Sequence, residues 1–187
     1  MAYDVPQQAT GLRHLPFIAV GGQPAFNPDD LERFVSERRV AVLAYLRHDS
    51  RPHQSPIWYT YHDGVFFLTT VTDSPKHRAL QRDGRVSLTV QDERPPYRAV
   101  VLEGTAELAP LDPDRDPTQG MAVRYFGRVG AAEYRRLTAS TYAASGLTLV
   151  ALRPTAVRGF DNTRALSTGA LAFVRLREHL PVPRRWL

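Results

Sequence analysis

The sequence predicts a mainly β domain with helical additions, arranged as a small antiparallel barrel. Three observations carry that expectation. Short runs rich in β-branched and aromatic residues recur at even spacing, as over 40–47, 65–71 and 85–91. Turn signals separate them, among them Asp63-Gly64 between two apolar runs, the pairing that a tight hairpin needs. Two proline-bearing caps, Asn27-Pro28 and Ser74-Pro75, mark where helices interrupt the strands.

Taken in order, residues 1–26 read as an irregular arm with Gly21-Gly22 and scattered prolines. A helix follows over 27–38, opened by Asn27-Pro28-Asp29-Asp30, whose acidic first turn suits the helix dipole. Strands are expected at 40–47, 53–61 and 65–71, the last two forming the hairpin around Asp63-Gly64. A short helix spans 74–82 and ends near Asp83-Gly84, and strands follow at 85–91 and 97–108. The run from Asp112 to Pro117 alternates acid with proline and breaks the pattern. It leads to helical segments around 117–127 and 130–139, then closing strands at 147–152 and 156–160. The expected organisation is an arm (1–26), a barrel domain that binds a cofactor (27–160) and a tail (161–187), without repeats or low-complexity stretches.

Composition narrows the function. The 187 residues are 43% apolar, enough for one real core. They contain no 18-residue apolar run and no charged leader before an apolar stretch, so neither a membrane span nor a signal peptide is expected. The absence of cysteine excludes disulfides, thiol catalysis and cysteine-ligated zinc, and fits a cytoplasmic protein. The six histidines, at 14, 48, 53, 62, 77 and 179, lack metal-ligand spacing, and no G-x-S-x-G elbow offers a serine nucleophile. His62 beside Asp63-Gly64 reads as a turn residue. The net charge of +5 raises the question of nucleic acid. Its arginines are spread along the chain, however, and no nucleic-acid-binding motif accompanies them.

One cation stands apart. Of 24 lysines and arginines only Lys76 is a lysine, and it sits in the first turn of the helix capped by Ser74. A cation there opposes the helix dipole, whereas free backbone N–H groups at the same end attract an anion. A bound phosphate resolves the conflict, with a compact ammonium as the clamp. The preceding strand ends in Thr69 and Thr70, whose hydroxyls add donors, and Arg78 follows within the same helix. This is an oxyanion site and not a Walker loop, because the spaced glycines are missing.

The neighbouring residues extend the pattern. Arg51-Pro52-His53-Gln54-Ser55-Pro56-Ile57-Trp58 precedes the hairpin, and Lys76-His77-Arg78-Ala79-Leu80-Gln81-Arg82-Asp83-Gly84-Arg85-Val86 follows it. With Glu93-Arg94-Pro95-Pro96-Tyr97 and the run from Val101 to Glu107, the chain from about 31 to 160 resembles the pyridoxamine 5'-phosphate oxidase-like split β-barrel superfamily. Within it the likeness is to the flavin/deazaflavin (F420)-dependent oxidoreductases. Two departures stand out: Ala79 occupies a position where that family commonly has Asn, and Ser50 one where it has Gly.

The resemblance implies a homodimer with a flavin-type cofactor at the subunit interface, coenzyme F420 in preference to FMN, acting on a small organic substrate. A member that has lost redox activity and only binds a cofactor or haem would keep the same fold. It implies that Gln54, Ser55, Pro56, Ile57 and Trp58 line the ring, and that Thr69, Thr70, Ser74, Lys76 and Arg78 line the phosphate. Tyr97 and Arg98 would come from the second subunit. Read by themselves, Trp58 and Tyr97 are packed strand aromatics, and Pro56 marks a bulge or edge because it cannot donate to a ladder. The cofactor carries the redox chemistry and the protein orients it. No catalytic acid or base stands out. His53, Tyr59 and Tyr61 are candidates for protonating a substrate, with the inward face of their strand left open.

Overall fold

A computed structural model describes residues 11–22 and 26–177. The remainder of the 1–26 arm and of the 161–187 tail, His179 included, lies outside the described residues. Helix α1 (Pro28–Ser36) begins as its sequence predicts: the Asn27 side chain accepts from the Asp30 amide at 2.7 Å, and Pro28 fills the first turn. Its apolar stripe of Leu31, Phe34 and Val35 is buried.

The strands are β1 (Phe17–Ala19), β2 (Ala41–Leu46), β3 (Pro52–Ile57), β4 (Thr60–His62), β5 (Val65–Val71), β6 (Arg85–Gln91), β7 (Arg98–Pro110) and β8 (Leu147–Asp161). Helix α2 (Pro75–Arg82) separates β5 from β6, helix α3 (Met121–Ser145) separates β7 from β8, and α4 (Thr168–Arg177) follows. Seven strands order as β3-β2-β6-β7-β8-β5-β4, each antiparallel to its neighbours, in a sheet that does not close on itself. This is the mainly β split barrel that the sequence predicts.

Strand β8 ties the halves together. Its full length pairs with β7, while residues 147–152 pair with β5 on its other side. The register shifts between Glu103 and Gly104, opposite Pro154, which has no N–H to give. A Cβ at Gly104 would lie 2.1 Å from the Arg153 carbonyl oxygen, so only glycine permits this close crossing.

Four expectations change here. The two closing strands are one bent strand, because the bulge carries the chain through 153–155 without leaving the sheet. The helical segments expected at 117–127 and 130–139 are the two parts of α3, which begins at Met121, breaks at Gly127 (φ 71°, ψ 176°) and runs on to Ser145. The arm contributes β1, parallel to β8 through Phe17↔Val157, with Leu12 buried in the main core. The strand expected at 53–61 divides at Trp58-Tyr59: β3 pairs with β2 and β4 with β5, at opposite ends of the sheet. Tyr59 sends its ring into the core and donates to the Val35 carbonyl at 2.8 Å, which turns the chain from one edge to the other. The Asp63-Gly64 hairpin therefore joins β4 to β5, with both residues at positive φ (48° and 87°).

Strand β5 is buried on both faces. Phe66 and Leu68 join the main core with Phe34, Leu43, Leu88, Leu102 and Leu152, while Val65 and Phe67 pack with Leu149 and Ala151. A fully covered strand is a rigid wall, and its C-terminal end opens into the site.

Candidate functional site

The end of β5 leads through a tight turn, with Asp73 at φ 59°, into α2. Ser74 takes an extended backbone and caps the helix, its Oγ accepting from the His77 amide at 3.2 Å. The same hydroxyl lies 3.2 Å from Thr70 Oγ1. The Asp73 amide donates to His77 Nδ1 at 3.2 Å, which fastens the turn from within. Lys76 stands on the first turn of α2. Burial holds its ammonium below its ordinary pKa, and among the described residues it has neither a carboxylate partner nor a hydrogen bond.

These groups face a cleft of about 640 Å³. Strand β3 supplies one wall. In its register His53, Ser55 and Ile57 stand opposite Tyr45, Leu43 and Ala41, so these residues share one face and Gln54 points away. Ser55 Oγ is buried without a hydrogen-bond partner among the described residues. Burial raises the neighbouring Tyr45 phenol, and the Ser55 hydroxyl tempers that rise without making a bond of normal geometry.

Helix α3 supplies the opposite wall with Met121, Phe126, Tyr134 and Tyr142. Trp58 is its anchor. The indole stacks on Tyr125 with centroids 5.0 Å apart and planes 10° from parallel, meets Phe126 edge-on at 4.7 Å, and lies 5.1 Å from Tyr134. The Tyr125 hydroxyl donates to the Arg39 carbonyl at 2.7 Å and accepts from the Tyr59 amide at 3.2 Å, which pins α3 to the barrel. The Tyr134 and Tyr142 hydroxyls are 2.7 Å apart. Burial, then the Tyr142 hydrogen bond, pushes Tyr134 up to about 12.

The cleft thus brings together Ser55, Pro56, Ile57, Trp58, Thr69, Thr70, Ser74 and Lys76. Four residues of the expected set lie elsewhere. Gln54 is exposed on the far face of β3. Arg78 donates to the Asp73 carbonyl and lines an adjoining cavity. Tyr97 is half-exposed at the start of β7, and Arg98 is committed to Asp92 at 2.6 Å with its guanidinium 4.7 Å above the Phe34 ring. Of the candidate proton donors, Tyr59 is buried in the core and Tyr61 donates to Glu32, leaving His53 at the cleft.

The adjoining cavity, about 540 Å³, is lined by Arg47, His48, His53, Arg78 and Arg82, with no carboxylate among the described residues on its wall. It shares Tyr45, His53 and Pro75 with the cleft. Arg82 donates to the Leu46 carbonyl at 3.0 Å and Arg78 to the Asp73 carbonyl, so both guanidiniums are positioned by backbone oxygens, while the Asp83 carboxylate feels the charge of Arg82 from outside the cavity wall. Arg47 has only a long contact, 3.9 Å, to Asp49. Sequence reasoning missed this cavity and the α3 wall. The advance signal for the α3 wall is the clustering of aromatics at 125, 126, 134 and 142 in a segment otherwise read only as helical.

Comparison with known proteins agrees with the fold. The model of the family described as pyridoxamine 5'-phosphate oxidase matches residues 28–161. The F420H(2)-dependent biliverdin reductase of Mycobacterium tuberculosis is 32% identical over 98 residues, covering 52% of this chain and 71% of that relative. The crystal structure of a conserved hypothetical protein of the same species is similar at a TM-score of 0.63 and 23% identity, over 89% of this chain and 98% of that one. A protein of unknown function from Agrobacterium tumefaciens gives a TM-score of 0.52 at 22% identity, over 74% of this chain and 56% of that one. At these identities the two structures speak for the fold alone.

Proposed function

The chain belongs to the pyridoxamine 5'-phosphate oxidase family, and from that premise we propose that it is an oxidoreductase holding a flavin-type cofactor, coenzyme F420 in preference to FMN, in the cleft between β3, β5, α2 and α3. The observation that carries the reading is Lys76, a half-buried ammonium without a partner among the described residues, lining the same cleft as the Ser74 and Thr70 hydroxyls at the start of a helix. A cation left unpaired in a partly desolvated site is costly unless an anion completes it. A cofactor phosphate is that anion. The orphaned Ser55 Oγ offers a second polar contact, of the kind a heterocyclic ring edge would satisfy.

When bound, such a cofactor supplies hydride transfer to or from a small organic substrate. The protein's own contribution is placement. Ser74, Thr70 and Lys76 hold the phosphate end, Ser55 orients the ring, and Trp58 with α3 keeps water from the face opposite β3. His53 is positioned to hold or release a proton at the mouth shared by the two cavities.

The basic cavity favours coenzyme F420 over FMN. The deazaflavin carries an anionic oligoglutamate tail, and a cavity lined by Arg47, Arg78 and Arg82 next to the phosphate end gives that tail a place that FMN would leave empty. We also propose a homodimer, in which the partner brings Tyr97 and Arg98 toward a cleft that neither residue reaches within one chain.

Fluorescence-quenching titration of the purified protein with each cofactor, at low and high salt, tests this reading. Exposed charge pairs are screened over about 10 Å at 0.1 M salt and about 3 Å at 1 M. Coenzyme F420 is therefore expected to bind more tightly than FMN at low salt and to lose affinity more steeply as salt rises. FMN binding more tightly at both ionic strengths, or co-purifying stoichiometrically, would put FMN in its place.

A further inference from the structure

Two phenol oxygens 2.7 Å apart on the wall of a ligand cleft form an unusual polar point in apolar surroundings. Tyr134 and Tyr142 lie two helical turns apart on α3, and Trp58 and Phe126 flank Tyr134 at 5.1 and 5.5 Å. This patch belongs to the wall opposite the groups that would hold the cofactor. Only one hydrogen is used between the two oxygens. Whichever phenol donates, the other keeps its own hydrogen for an outside acceptor, and a hydroxyl that already accepts a bond is the better donor for it.

We propose that the Tyr134–Tyr142 pair is a substrate-positioning subsite that hydrogen-bonds an uncharged carbonyl oxygen on a flat, largely apolar molecule. The aromatic surroundings choose the body of that molecule, because Trp58, Phe126 and Tyr134 line the same cleft and give a planar apolar system aromatic surface to pack on. The neutrality of the pair chooses the oxygen: an anion would gain more at Lys76, whereas a carbonyl needs one donor and no charge. Burial and the hydrogen bond to Tyr142 keep the Tyr134 phenol protonated well above neutral pH. The subsite takes its name as a substrate site from the oxidoreductase reading, but its recognition chemistry is independent of which cofactor binds.

The test uses two probes of nearly one shape, 2-acetylnaphthalene and 2-ethylnaphthalene, which differ chiefly by the carbonyl oxygen. Binding is followed through Trp58 fluorescence in a Trp186→Phe background, since the sequence holds two tryptophans. The ketone is expected to bind the otherwise unaltered cleft roughly three- to tenfold more tightly, the range of one neutral hydrogen bond. In a Tyr134→Phe/Tyr142→Phe double variant that preference vanishes while the hydrocarbon binds as before, because both rings are kept. Circular dichroism checks the fold, and each single variant serves if the double one does not fold. Lys76→Ala is expected to leave the preference intact, so failure of the phosphate assignment and failure of this one are separable. An equal loss for both probes, a preference that survives in the double variant or disappears with Lys76→Ala, or no binding of either probe would overturn the proposal.

Discussion

Replacing Lys76 by alanine separates a ligand-binding cation from a structural one. In the folded protein without ligand the ammonium is partly desolvated, and its pKa lies below the ordinary lysine value. The sign follows from linkage: the unfolded chain binds this proton more tightly than the folded one. The charge therefore opposes folding at pH values below the depressed folded pKa, and the opposition fades as pH rises through it. Lys76→Ala at neutral pH is expected to leave the unfolding temperature of the cofactor-free protein unchanged or slightly raised. A phosphate reverses the balance by favouring the charged form. Losing one charge-assisted contact costs about 1.5–3 kcal/mol, or roughly tenfold to 150-fold in affinity. Titration of coenzyme F420 and FMN into both proteins reads that loss directly. Wild-type affinity should also decline as pH rises through the Lys76 pKa, with that slope absent in the variant. Unaltered affinity for both cofactors, or an apo-protein that unfolds well below wild type, would refute the reasoning.

Removing charge from the adjoining cavity with Arg47→Gln and Arg82→Gln is expected to weaken coenzyme F420 binding and flatten its salt dependence, with FMN little affected; titration at two ionic strengths compares them. Light scattering at micromolar concentration is expected to report a dimer. A stable monomer that still binds cofactor would remove the interface role given to Tyr97 and Arg98. Gly104→Ala is expected to cost about 1–3 kcal/mol, lowering the thermal midpoint by about 2–12 °C, because its Cβ would meet the Arg153 carbonyl at 2.1 Å. Gly169→Ala, with nothing within 4 Å of the added carbon, is the control that should unfold like wild type.

The features legible in the sequence are those set within a few residues of one another. Asn27-Pro28 and Ser74-Pro75 opened helices where they stood, because a capping side chain and a proline act on amides two or three residues away. Asp63-Gly64 made its turn because both residues tolerate positive φ. Lys76 was conspicuous as the lone lysine, and the structure places it at the cleft beside Ser74 and Thr70.

What only the tertiary structure decided depends on which distant segments become neighbours. Trp58 and Tyr59 lie in one apparent strand, yet the core takes Tyr59 and α3 takes Trp58, so the strand divides and its halves join opposite ends of the sheet. The basic cavity arises because β2 and α2 pack together, bringing Arg82 to the Leu46 carbonyl across 36 positions of sequence. The Tyr134–Tyr142 pair lines the cleft because long-range contacts hold α3 there, among them Tyr125 to the Arg39 carbonyl 86 positions away and the Trp58 ring against Tyr134. Local propensity acts through backbone torsions and nearby amides, and the sequence shows it. The neighbours of a wall or a cavity are chosen by burial of side chains from every part of the chain at once, and that choice becomes visible only when the sheet order is known.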